Sequence, residues 1–174
     1  MTRDILEIPS AERRAEFLSA AARSARLHRG LAAPPRTVAA FNAYLKRIRG
    51  LHHLGFWVLA PDGQLAGVIN LNEIVRGSFQ SAYLGYYAFS PYEGQGHMSR
   101  GLQAVIRDAF IVHRLHRLEA NIQPRNGASR RLVRRLGFRR EGLSPKYLKV
   151  GGRWRDHERW ALTREGWQSN AGTG

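Results

Sequence analysis

Gly94-Gln95-Gly96 stands between an apolar, aromatic run, Tyr83-Leu84-Gly85-Tyr86-Tyr87-Ala88-Phe89, and a stretch of helical period. A strand that ends in a Gly-rich turn and opens into a helix aims several backbone N–H groups at one small volume. Such a volume suits phosphate or pyrophosphate. Downstream come Asn126-Gly127-Ala128-Ser129 and Leu136-Gly137-Phe138. A dinucleotide fingerprint is not met, because Ser99 replaces the third glycine and the turn follows a fourth strand rather than a first. The chain has no Gly-Lys-Ser/Thr of a P-loop and no cysteine, so neither a thiol nucleophile nor a thiolate metal site is available. His113 and His116 lack nearby carboxylate or thiolate partners, and no metal site is expected. Asp156-His157 lies between Arg155 and Glu158, where structural pairing outweighs a catalytic dyad.

These residues need elements to position them. Asp4 to Ile8 reads as a short strand, and Ser10 as the N-cap of a helix running to Arg26. His28 to Pro35 is a loop. Thr37 caps a second helix with Phe41, Tyr44, Leu45 and Ile48 on one face. Pro61-Asp62-Gly63 turns between two strands, 55–59 and 64–74, and Ser81 to Phe89 continues the meander. Met98 to His113 is the clearest helix, followed by a strand from Leu118 to Gln123 and a helix begun by Asn126 and closed by Gly137. Tyr147 to Val150 and Trp154 to Leu162 form a hairpin around Gly151-Gly152. The pattern predicts one α+β domain over residues 1–167 and a loose polar tail over 168–174.

The 174 residues are enough for one ordinary core, and 43% hydrophobic content excludes disorder. Met1-Thr2-Arg3-Asp4 lacks the apolar segment of a signal peptide and no run reaches membrane-spanning length, so a cytoplasmic protein without a membrane partner is expected. Lys and Arg number 28 against 13 Asp and Glu, a formal net charge of +15. That field attracts phosphorylated ligands, acidic peptides or RNA.

Together the motifs resemble the GNAT acetyltransferase family, in particular the branch that acetylates the N-terminal alanine of ribosomal proteins. The resemblance is strongest from Gly67 to Leu162 and rests on Val75-Arg76-Gly77-Ser78-Phe79, Tyr83 to Tyr86, Gly94-Gln95-Gly96, Asn126-x-x-Ser129, Leu136-Gly137-Phe138 and Gly152 to His157. It implies a mixed sheet of about seven strands flanked by helices on both faces, with acetyl-CoA as cofactor. It places Tyr87, Ala88 and Phe89 along the pantetheine arm, with a backbone N–H near Tyr87 or Ala88 as oxyanion donor. Gly94, Gln95, Gly96, His97 and Met98 would hold the pyrophosphate through backbone N–H groups. Asn126 would bond the pantetheine amides, Ser129 would protonate the departing thiolate, and Arg76, Tyr86 and Tyr147 would border the acceptor.

Two positions depart from the family pattern. Pro91 stands where Gln or Arg is frequent, and Lys146 where an acidic residue precedes the tyrosine and acts as base. A cation cannot take a proton from ammonium, so Glu73, directly or through water, is the first candidate base, with Glu93 second because a carboxylate beside the pyrophosphate is repelled. An α-amino group near pKa 8 costs only about 1.4 kcal/mol to neutralise at pH 7, whereas a lysine side chain costs about 4.6 kcal/mol. The reading is therefore direct acetyl transfer to an N-terminal α-amine, first of all that of a ribosomal protein, by a monomer or homodimer. Its arginines, Arg130, Arg131, Arg134 and Arg135 among them, could meet the 3′-phosphate of CoA or the RNA of a ribosomal particle. The alternatives are acetylation of a small amine or aminoglycoside-like substrate, and a catalytically weak RNA-binding or assembly factor with the same fold.

Overall fold

The computed structural model describes residues 5–171. Strand β1 (Leu6–Glu7) is followed by helices α1 (Arg14–Arg23), α2 (Ala25–His28) and α3 (Val38–Ile48). The meander β2 (Leu54–Leu59), β3 (Leu65–Val75) and β4 (Ser81–Ala88) leads to α4 (His97–Ile111). The remainder is β5 (Arg117–Ile122), α5 (Gly127–Arg135), β6 (Arg139–Val150), β7 (Arg153–Thr163) and α6 (Arg164–Ala171). The strands form one sheet in the order β1-β2-β3-β4-β5-β7-β6, and only β4 and β5 pair in parallel. That pair needs a crossover, which α4 supplies.

Strand alternation sends successive side chains to opposite faces, and each face has its own helical cover. On β2, Trp57 packs with Phe17 of α1 and with Phe41, Tyr44 and Leu45 of α3, whereas Val58 packs with Leu102, Val105 and Ile106 of α4. Phe17 is the hub of the first layer, with ring centroids 5.1 Å from Phe41 and 5.4 Å from Phe89. Gly67 permits the second layer to sit close, because a Cβ there would stand 2.3 Å from Met98 Sδ and 2.8 Å from the Tyr87 carbonyl.

Thr37 caps α3 as expected, its Oγ1 accepting from Ala40 N–H at 3.2 Å. Ser10 caps nothing. The helix starts after Arg13, whose guanidinium bonds Glu7, Glu16 and the Gly63 carbonyl and so ties the helix start to the sheet edge. It also breaks at Ser24, whose Oγ returns to the Ala20 carbonyl at 2.7 Å, and His28 belongs to α2 rather than to a loop. The β6 strand begins eight residues earlier than the hairpin signal suggests, at Arg139. Part of the segment expected to be loose is helical, since α6 runs to Ala171 with Trp167 packed on Phe110 at 5.5 Å. Asp4 and residues 172–174, which fall in the expected first strand and tail, lie outside the described residues.

Candidate acetyl-transfer site

β4 pairs with β5 only from Ser81 to Leu84, opposite Arg117 to Ala120; beyond that the two strands diverge. On its other edge β4 stays paired with β3 as far as Ala88. Phe89 N–H donates to the Ala66 carbonyl at 2.8 Å, so by alternation Tyr87 and Gly85 turn their backbone groups towards β3. Tyr86 and Ala88 turn theirs into the gap. The Ala88 carbonyl there already accepts from His28 Nε2 at 2.7 Å, which leaves the Ala88 N–H as the donor facing the gap.

The gap opens into a cleft of about 520 Å³ that runs from Tyr86 and Ala88 to Gly94, Gly96, His97, Met98 and Arg100, walled by Asn126 and Ser129. Gly94 and Gly96 have φ of 75° and 83°, and nothing lies within 4 Å of where a Gly94 Cβ would stand. The start of α4 carries neither a side-chain cap nor an acidic residue in its first turn. Arg100 N–H is the first to return to the helix, at 3.1 Å from the Gly96 carbonyl, so the earlier N–H groups point into the cleft. An unpaired strand edge followed by an uncapped helix start, with Arg100 and Arg135 on the rim, fits an extended amide-bearing arm that ends in phosphates.

Ser129 Oγ and Tyr86 OH share a short hydrogen bond at the inner end of the cleft. Burial pushes the Tyr86 hydroxyl up to about 12, so it holds its proton at any working pH. Asn126 caps α5 by accepting from Ser129 N–H at 3.2 Å, which commits its oxygen and leaves its amide nitrogen for a ligand. A second concavity of about 610 Å³ shares Tyr86, Tyr87, Asn126 and Ser129 with the cleft and continues past Asn72, Glu73 and Tyr147. Asn72 Oδ1 and Asn121 Oδ1, both on its wall, are buried without a partner. Polar oxygens left so are costly unless a donor arrives.

Of the residues singled out in the sequence, Tyr86, Tyr87, Ala88, Gly94, Gly96, His97, Met98, Asn126 and Ser129 gather around the cleft, with Glu73 and Tyr147 on the adjoining groove. Two do not take the expected place. Phe89 is fully buried in the α1–α3 layer with its N–H committed to Ala66, because the aromatic run turns its last ring into the core. Arg76 reaches away to the His113 carbonyl at 2.5 Å and lines none of these cavities. The Gln95 side chain folds onto the Pro91 carbonyl at 2.7 Å, whereas the role expected of this residue is one of its backbone N–H. Glu73 is 68% exposed and 3.8 Å from His53 Nε2.

Asp156 and His157 form no dyad: Asp156 Oδ1 accepts from Lys146 N–H at 2.8 Å, and His157 Nδ1 lies 2.9 Å from the Arg155 carbonyl. Arg130, one of the arginines set aside for phosphate, instead pairs with buried Glu158 at 3.0 Å, as does Arg140 at 3.3 Å. His28 and the latch on Gly30 were not legible in the sequence. The Gly30 carbonyl accepts from Gln123 Nε2 at 2.8 Å and Arg125 Nη2 at 2.7 Å, which straps the segment after α2 across the end of β5. Only contacts between residues some 60 to 95 apart create it, and no local pattern announces it.

A strand edge freed for an extended ligand, an anion-accepting helix start and a hydroxyl pair beside them make up the candidate site. Residues 5–139 match the family described as "Acetyltransferase (GNAT) domain". The chain belongs to that family, and by family it is an N-acetyltransferase that uses acetyl-CoA. It is 39% identical over 132 residues to the [Ribosomal protein uS5]-alanine N-acetyltransferase of Escherichia coli, a match covering 73% of this chain and 68% of that one. It is 37% identical over 107 residues to the Bacillus subtilis probable N-acetyltransferase YjcK, covering 62% of this chain and 59% of the relative's length. Among solved structures it resembles Mycobacterium smegmatis RimJ in complex with CoA-disulfide, with a TM-score of 0.85 and 25% identity over 96% of this chain and 88% of that one. No helix among the described residues is long and apolar enough to cross a membrane.

Proposed function

We propose that the chain transfers acetyl to the N-terminal α-amine of a protein, with a ribosomal protein as the first candidate. The observation that carries this reading is the Ser129–Tyr86 pair standing where the cleft meets a second groove of about 610 Å³. Acetyl-CoA supplies the activated acetyl group, which passes to the amine nitrogen as the sulfur leaves and takes up a proton. Ala88 N–H is placed to donate to the developing oxyanion. Ser129 Oγ, backed by the Tyr86 hydroxyl, is the group that would supply that proton.

The groove supports an amine acceptor through Asn72 Oδ1 and Asn121 Oδ1, which lack donors. Glu73 borders the same groove and is placed to collect the amine proton through solvent, a proton that an α-amine near pKa 8 gives up far more readily than a lysine side chain near 10.4. The relative that modifies the alanine of uS5 supports a protein N-terminus over a small amine. The test is incubation of the purified protein and acetyl-CoA with cell lysate, followed by mapping of new acetyl groups by mass spectrometry. New acetylation at protein N-termini is expected, and acetylation confined to lysine side chains would overturn the reading.

A further inference from the structure

Beside the cleft and the groove lies a third concavity of about 880 Å³, floored by α3 and roofed by the strapped segment after α2. Three guanidinium groups line it, those of Arg29, Arg36 and Arg47, and no carboxylate does. None of the three is ion-paired among the described residues, although the chain pairs other arginines repeatedly. Pocket and groove share Asn70 and Tyr87, and Ala32 borders all three cavities, so they converge at the inner end of the cleft.

The wall is built rather than incidental. Asn70 is 94% buried on the relative exposure of 6%, and its Oδ1 accepts from Tyr44 OH at 3.3 Å. Pro34 is buried, Thr37 caps α3 beneath the rim, and the Gly30 latch fixes the roof. The three arginines are exposed and stand around this concavity, each free to turn towards a ligand in it.

The two branches differ in sign. The groove presents Glu73 and the unpartnered oxygens of Asn72 and Asn121, which suit a cationic or N–H-bearing group. The pocket presents cations alone. We propose that the acceptor is a peptide whose amine meets the groove oxygens while an acidic side chain within its next few residues enters the pocket of Arg29, Arg36 and Arg47. An extended chain advances roughly 3.3–3.6 Å per residue, so a Glu or Asp at position 2, 3 or 4 has its backbone about 3–11 Å from that of the first residue, with the side chain reaching further. This rests on the N-terminal reading above and adds a rule for choosing among N-termini. It also accounts for how a +15 protein engages a substrate drawn from basic partners, since only the first few residues need be acidic. A polyamine would set like charge against like in the pocket.

The experiment uses Ala-initiated decapeptides without lysine that carry one Glu at position 2, 3 or 4, each matched to its Gln counterpart. With the wild-type protein the best Glu peptide should have a KM about three- to tenfold below that of its Gln match, and the gap should narrow at high salt. In Arg36→Gln/Arg47→Gln the ratio should collapse to within about twofold, and the Nα-acetylated Glu peptide should lose its binding advantage in calorimetry. Equal KM values for Glu and Gln peptides in the wild type, or a preference that survives in the double variant, would overturn the inference while leaving the N-terminal reading intact. If small anionic amines bearing a carboxylate were acetylated and no Ala-initiated peptide were, both would fall.

Discussion

His28 and Ala88, sixty residues apart in sequence, are joined by a hydrogen bond of 2.7 Å between the imidazole Nε2 and the peptide carbonyl. A carbonyl only accepts, so Nε2 carries the proton and Nδ1 is left bare, buried and without a partner. The end of β4 is thus held by a side chain of α2 where a neighbouring strand would otherwise bond it. His28 is a positioning residue for the strand edge that receives the cofactor arm.

Replacing it separates that role from plain stability. His28→Ala leaves the Ala88 carbonyl unsatisfied and should cost about 1–3 kcal/mol of stability. It should also raise KM for acetyl-CoA. His28→Gln, which can donate from its amide, should recover part of the KM effect. Thermal melts together with steady-state kinetics check this, and equal KM values in all three proteins would reduce His28 to packing.

Acid lability should follow from three imidazoles. His28, His97 and His113 are each lowered from the usual histidine value, chiefly by burial, with nearby Arg36, Arg100 and Arg76 adding to the effect. The unfolded chain takes up these protons near pH 6.5 whereas the folded chain resists them, so the unfolded state binds more protons below that pH. Stability should be level above about pH 6.5 and fall as pH drops through the folded values. Calorimetric Tm between pH 7.5 and 5 should show this slope, shallower in His28→Gln; no difference between the two slopes would remove His28 from the account.

Gly94 should matter more to binding than to folding. A Cβ there meets no protein atom within 4 Å, so Gly94→Ala costs only the left-handed backbone penalty, about 1–2 kcal/mol. The same Cβ intrudes on the space before α4 assigned to the pyrophosphate. Titration with CoA should show weakening of about tenfold or more, beyond what the modest drop in Tm explains.

Ser129 and Tyr86 should behave as one unit. Each of Ser129→Ala and Tyr86→Phe should lower kcat about ten- to a hundredfold with KM for acetyl-CoA little changed. The double variant should be scarcely worse than either single one. Strict additivity of the two effects in a double-mutant cycle would show that the shared hydrogen bond carries no catalytic coupling.

Much of this was legible because it is local. The period of Leu102, Val105, Ile106 and Ala109 gave α4, Asn126 gave a cap observed at 3.2 Å, and Gly151-Gly152 gave the hairpin, with φ of 58° and 78°. The first half of β6 escaped because it is an edge strand exposed on most positions and interrupted by Gly142 and Pro145, so it carries no alternation to read. Phe89 and Arg76 were misplaced for a related reason: residue type suggested chemistry, but the core claimed one ring and the His113 carbonyl claimed the guanidinium. The arginine pocket depends on the Gly30 latch, which spans more than ninety residues, and loop composition around Pro34-Pro35 gives no hint of it.

Whether the acceptor is an α-amine can be read from a single rate comparison. Two peptides of matched sequence are offered with acetyl-CoA, one with a free N-terminal alanine and no lysine, the other Nα-blocked with a single lysine. At pH 7 kcat/KM should be at least a hundredfold higher for the free α-amine, in line with the roughly 2.4-unit difference in ammonium pKa. Equal or greater activity on the lysine peptide would contradict an α-amine acceptor.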